Sequence, residues 1–152
     1  MTVSCSVQEE TPQSSLVVRA RTTVQDLPRL VGESYGRIAG YLAELGETPA
    51  GPRFAAYHNA DMQDLDVEIG FPVGRALPGK AGIQAGMIPG GRMARCLYTG
   101  PYPEVAGAYR ELGAWIEAQG FEAHGSSYEM YLNDPATTPP EALQTLILMP
   151  LK

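Results

Sequence analysis

The sequence predicts an α+β fold in which one strand-helix-strand-strand unit is built twice. Three observations carry this. First, the two halves match at a fixed offset of 74 positions, without a gap, over more than 30 residues. Val31 falls on Val105, Tyr35 on Tyr109, Ile38 on Leu112, Tyr41 on Trp115, Gly46 on Gly120, Phe54 on Tyr128, Tyr57 on Tyr131 and Asn59 on Asn133. Second, each half joins a segment of helical periodicity to segments of strand alternation. Third, neither half holds enough strands to cover both faces of a sheet, so the halves are expected to share one domain. Such a repeat predicts pseudo-two-fold symmetry and a central ligand groove at the seam.

The elements follow in order. Residues 1–15 are polar and read as a disordered leader or an extra edge strand. Residues 16–23 are rich in β-branched residues and read as a strand. Pro28 suits a helix start, and Leu30, Val31, Tyr35, Ile38, Leu42 and Leu45 recur at helical spacing until Gly46 closes the helix. Residues 53–59 and 66–73 form a strand pair around a polar turn, completing repeat one at 16–73. A Gly/Pro/Lys stretch, 74–82, is expected to be an exposed link. Repeat two, 83–152, has a strand at 86–98 bent near Pro89, a helix at 103–119 closed by Gly120, and strands at 127–133 and 143–151. The same 74-residue offset carries Ala20-Arg21 to Ala94-Arg95.

Composition narrows the function. The chain has 152 residues, 44% hydrophobic and 18% charged, as in ordinary globular domains. Eleven basic against 17 acidic residues give a net charge of −6, and no basic run occurs, which argues against direct nucleic-acid binding. No apolar run is long enough to span a membrane, and the N-terminus lacks the pattern of a secretory signal. The expected location is therefore cytoplasmic, with Cys5 and Cys96 as free thiols. No cofactor and no metal are expected. His58 and His124 stand alone, and Asp61, Asp64, Asp66 and Glu68 lack a full calcium ladder. Residues 74–81 imitate a phosphate loop but lack the Ser/Thr after Lys80 and a following helix.

Two carboxylates stand out. Side chains alternate across a strand. Tyr128 and Met130 therefore share one face, expected to pack on the helix, while Glu129 and Tyr131 share the other with their repeat counterpart Tyr57, expected toward the seam. Glu129 breaks the repeat, because its counterpart is Ala55. A carboxylate between bulky neighbours is costly if buried unpartnered. The plain alternative is an exposed glutamate, or one paired with Arg21 or Arg95. Glu68 is a weaker case. It points away from the helix with Asp66, and its counterpart is Leu146, because the second hairpin carries four extra residues. Here the plain alternative is a solvated sheet face. Tyr35, Tyr41, Tyr109 and Trp115 lie at helical spacing and read mostly as core.

Thr99-Gly100-Pro101-Tyr102 before the second helix, and Tyr128-Glu129-Met130-Tyr131-Leu132-Asn133-Asp134-Pro135 near the end, together with the repeat, resemble the GyrI-like superfamily. That superfamily includes effector-binding domains of AraC-type and MerR-type multidrug regulators. The resemblance covers roughly residues 16–152. It implies a groove in which a glutamate, here Glu129, recognises lipophilic cations among aromatic side chains. Tyr131, Tyr57, Tyr102 and Trp115 would line that site, with Glu68 as the acidic residue ahead of Gly-Phe-Pro-Val. Only about 15 residues precede the first expected strand, too few for a helix-turn-helix, so the chain reads as a free-standing ligand domain.

Three functions follow. The first is a module that binds lipophilic, cationic or aromatic small molecules. The second is a metal-independent hydrolase that opens the cyclopropane ring of alkylating natural products, with Glu129 as catalytic base. The third is a protein-interaction module like the gyrase-inhibiting relatives. The first two need the same residues, and neither ligand identity nor oligomeric state is legible.

Overall fold

A computed structural model describes residues 2–152 as two units, each a four-stranded antiparallel sheet with one helix. The first unit, Pro12–Pro89, holds β2 (Gln13–Thr22), α1 (Leu27–Leu45), β3 (Phe54–Tyr57), β4 (Leu65–Pro72) and β5 (Gln84–Ile88). The second joins the N-terminal segment up to Thr11 to Gly90–Lys152. It holds β1 (Thr2–Glu10), β6 (Gly91–Thr99), α2 (Val105–Ala118), β7 (Ser127–Tyr131) and β8 (Gln144–Pro150). The sheets run β3-β4-β2-β5 in the first unit and β7-β8-β6-β1 in the second, with every pair antiparallel. The fold is α+β, as the sequence predicts.

The repeat is visible atom by atom in the helices. Ser34, Ile38 and Leu42 are buried on α1, and their counterparts Ala108, Leu112 and Ile116 are buried on α2. Each helix ends on the glycine that the repeat shares. Gly46 has φ +68 and Gly120 φ +80, a region where a side chain would be strained. The residue after each glycine donates back five positions, Glu47 to the Leu42 carbonyl at 2.9 Å and Phe121 to that of Ile116 at 3.1 Å. These are paired C-terminal caps of one design.

The strands refine the sequence reading in three places. Residues 2–10 form an edge strand paired with β6 along its whole length, from Thr2 opposite Thr99 to Glu10 opposite Gly91. Its alternation is the cause: Val3, Cys5 and Val7 pack on the core under α2. The single strand expected over 86–98 is two strands, broken at Pro89-Gly90, and they belong to different units. Proline cannot donate to a ladder, which is why pairing stops there. Residues 74–82 are exposed except for Leu77 and lie inside the first unit, not between the two.

The offset also differs between helix and strand. Val18 pairs with Ile69, and Cys96 with Ile147, so β2 and β4 correspond to β6 and β8 at 78 positions, not 74. The match of Ala20-Arg21 to Ala94-Arg95 is therefore four residues out of register. The sheet aligns Leu16 and Val18 with Ala94 and Cys96, which occupy the two cores. Core burial, with its period of two, sets strand register more firmly than local identity does.

Candidate functional site

Glu129 lies at the middle of β7, opposite Ile147 of β8. Ile147 packs beneath α2 with Cys96 and Leu112, so the same face of β7 meets the helix. Glu129 and Tyr131 accordingly point to the α2 side, and Tyr128 and Met130 to the other. This reverses the expected assignment. Alternation fixes which residues share a face, but only the packed helix decides which face it covers.

The carboxylate is 8% exposed. Tyr109, from α2, donates to its Oε2 at 2.5 Å, and Tyr131 donates to its Oε1 at 3.0 Å. The Tyr109 hydroxyl also lies 3.3 Å from Ser127 Oγ. Neither arginine considered as a partner serves it, since Arg95 pairs with Glu10 at 2.6 Å and Arg21 with Asp64 at 3.3 Å. Burial pushes the Glu129 carboxyl above its ordinary range, and the two tyrosine hydroxyls pull part of the way back. The result, among the described residues, is a buried acid with hydroxyl partners in place of a cation.

The motif before α2 supplies a third tyrosine. Gly100 has φ +154, and a Cβ there would lie 2.7 Å from the Tyr98 hydroxyl. With no side chain in the way, the turn closes over Tyr98, whose hydroxyl donates to the Pro101 carbonyl at 2.6 Å. Tyr102 follows, and its ring meets that of Tyr131 edge-on at 5.6 Å. Tyr102, Tyr131, Glu129 and Tyr109 thus form one contiguous group. Trp115 packs half-buried on the core under α2.

Sequence reasoning treated Tyr109 as core and missed its hydroxyl. The usable signal was a single departure beside a match: Ala55 stands at the counterpart of Glu129 while Tyr35 matches Tyr109, and in the first unit Tyr35 bonds the Phe54 carbonyl at 2.8 Å. Tyr57 packs in the first unit with Tyr35, Val67 and Ile69.

Glu68 lies on the face of its sheet away from α1, as expected, and is only partly exposed. His58 Nε2 is 2.6 Å from its Oε1, and Arg19 is 3.7 Å from the same oxygen. Arg19 also grips Asp66 with two bonds of 2.8 and 2.9 Å, which holds that carboxyl below its usual value. His58, read as isolated, is a partner of Glu68. Ala56 stands opposite Glu68, and alternation carries His58 to that same face. A shallow depression of about 460 Å³ lies elsewhere on the first unit, lined by Arg21, Asp26, Arg29, Glu33 and Asp64 among others. Its charges pair among themselves, so it competes poorly with Glu129 as a site. Lys80, the lysine of the phosphate-loop imitation, pairs with Glu44 at 3.1 Å.

The raised carboxyl has a measurable consequence for stability. The folded state holds its proton more tightly than the unfolded chain does. The contribution from Glu129 is therefore complete below its unfolded value near 4.5 and is lost as pH rises through the folded value. Glu129→Gln removes the titration but keeps hydrogen-bonding atoms. The variant should match the wild type in Tm near pH 4 and exceed it near pH 8 by roughly 3–10 °C, the equivalent of about 1–3 kcal/mol for a desolvated charged group. A Tm difference that is constant between those pH values would contradict a penalised carboxylate.

The α+β fold thus carries a buried acid among tyrosines. Residues 4–152 match the model of the GyrI-like small molecule binding domain, and the chain belongs to that family. Among solved structures it is similar to EcmrR in complex with DNA, at 20% identity and a TM-score of 0.84, covering 99% of this chain and 57% of that one. The chain thus spans little more than half the length of that EcmrR chain. Against the EcmrR C-terminal domain the identity is 19% and the TM-score 0.82, covering 100% and 99% of the two chains. A hydrolase from Listeria innocua matches at 15% identity and a TM-score of 0.71, covering 97% and 91%. SAV2435 bound to tetraphenylphosphonium matches at 14% and 0.70, covering 98% and 94%. A search of curated proteins found no match. At these identities the solved structures establish the fold.

Proposed function

We propose that this domain binds lipophilic cations, with Glu129 as the charge partner and Tyr131, Tyr102 and Tyr109 as the aromatic surround. The observation that carries this reading is a carboxylate 8% exposed whose partners among the described residues are two tyrosine hydroxyls and no cation. Ionising it in place is unfavourable, and an arriving cation relieves that cost. Aromatic faces add cation–π attraction, worth about 2 kcal/mol when desolvated. A bulky organic cation carries little hydration to lose, so it suits such a site better than Lys or a metal ion. Tetraphenylphosphonium, the ligand of the structurally similar SAV2435, is the natural probe.

Linkage gives the test. Because the carboxyl is raised, a cation binds by displacing its proton. Affinity for tetraphenylphosphonium, followed by calorimetry, should rise with pH until Glu129 is ionised in the free protein and then level off. An affinity independent of pH from 4 to 9 would remove Glu129 from the site. The acidic character of the whole chain aids the approach of cations. Direct nucleic-acid binding remains outside this proposal. No helix among the described residues is long and apolar enough to cross a membrane.

A second reading rests on the short Tyr109–Glu129 contact, which pairs a base with a hydroxyl acid. In it, Glu129 orients a water against a strained cyclopropane ring, and a tyrosine hydroxyl polarises the conjugated carbonyl oxygen. Incubation with a cyclopropane-bearing alkylator should then yield ring-opened product in the presence of chelator. Glu129→Gln should lower the rate by about 10²–10⁴-fold. Tight binding without turnover leaves the binding reading alone.

A further inference from the structure

The two cysteines, 91 positions apart in sequence, stand directly opposite one another in the β1–β6 ladder. Both side chains lie on the α2 side of the sheet. Cys96 is fully buried and Cys5 is half-buried at the sheet edge. Registered neighbours on an antiparallel ladder have Cα atoms about 4.5–5.5 Å apart, inside the span that a disulfide bridges. We propose that Cys5 and Cys96 are a reversible disulfide site, whose oxidation fastens β1 to the rest of its sheet.

The chemistry follows from the unequal exposure of the two thiols. With a low-molecular-weight disulfide such as oxidised glutathione as oxidant, Cys5 reacts first. Its thiolate attacks one glutathione sulfur, the Cys5–glutathione bond forms, and one glutathione thiolate leaves and takes up a proton. Cys96 then loses its proton to solvent and attacks the Cys5 sulfur, expelling the second glutathione thiolate. Two protein thiols are oxidised and one glutathione disulfide is reduced to two thiols. The second step is the slow one, because burial and the neighbouring thiol push Cys96 up to about 12. Closure should therefore quicken about tenfold per pH unit across pH 7–9, with the mixed disulfide visible before it.

The bond has structural weight. Cys5, Cys96, Ile147 and Glu129 form one row across β1, β6, β8 and β7, each opposite the next. β1 is the outermost strand of that sheet, and its segment is far in sequence from the strand it joins. Closing a loop of this length restricts the unfolded chain more than a local link would, and should raise Tm by roughly 5–15 °C.

The experiment exposes the folded full chain to oxidised and reduced glutathione in varied ratio, then reads intact mass, peptide maps and Tm. The expected product is a monomer lighter by two hydrogens with a Cys5–Cys96 linked peptide, reverted by reduced glutathione. Cys96→Ser should stop at glutathione on Cys5, and Cys5→Ser should be inert. Lasting glutathione adducts on the wild type, Cys5-linked dimers, no reaction, or equal reactivity of Cys5→Ser would each overturn the proposal. The wild-type peptide map decides the matter even if a variant folds poorly.

Discussion

Glu129→Gln is expected to lose about 30- to 5,000-fold in affinity for tetraphenylphosphonium at pH 8. The range corresponds to the 2–5 kcal/mol lost when one partner of a desolvated charge pair is removed. The glutamine keeps the size of the side chain and can still accept from Tyr109 or Tyr131, so packing under α2 is preserved. Only the charge is gone. The loss should shrink as pH falls, because the wild-type carboxyl is itself neutral in acid. That convergence separates electrostatics from damage to the fold, which would persist at every pH. An affinity within twofold of wild type at pH 8 would mean that the cation is held by aromatic contact alone.

The largest loss of stability is expected at Gly70, in β4. A Cβ built there lies 2.0 Å from the Leu16 carbonyl oxygen and 2.9 Å from Val17 Cγ1 on the paired strand. Backbone cannot swing aside as the end of a side chain can, so β2 and β4 would have to separate along the ladder that joins them. Gly70→Ala should cost about 3 kcal/mol and lower Tm by roughly 6–12 °C. The repeat alone would permit a large residue, since the counterpart in the second unit is Leu148. Gly113→Ala is the control. It lies in α2 with nothing within 4 Å of the added atom, and alanine there should stabilise by about 0.5–1 kcal/mol. Equal behaviour of the two variants would show that the close approach at Gly70 is not maintained in solution.

How far the sequence reaches can be judged residue by residue. The helices were legible because their signals are local: apolar spacing, Pro28, and glycine at 46 and 120. The order of strands within each unit was partly legible, since hairpins follow chain order. β1 was half legible. Val3, Cys5 and Val7 alternate, but three apolar residues in a polar segment do not announce a partner strand some 90 residues away. The break at Pro89-Gly90 was visible as a bend, whereas the assignment of β5 to the first unit depends on long-range pairing with β2. Glu129 was legible because it departs from the repeat at a costly position. Its direction was not, because nothing local says which face of β7 the helix covers. Tyr109 was hidden in a core pattern because its ring packs while its hydroxyl bonds. The pairing of His58 with Glu68 followed from hairpin register and could have been read by extending the alternation one residue further.

The central claim is that a negative charge on Glu129 selects the ligand. Paired titrations with tetraphenylphosphonium and tetraphenylborate test it most directly, since the two ions share shape and apolar surface and differ in sign. At pH 8 the account predicts that the cation binds at least about 30-fold more tightly than the anion, and that Glu129→Gln removes most of that preference. Equal affinity for the two ions in the wild type, or a preference unchanged in the variant, would contradict it.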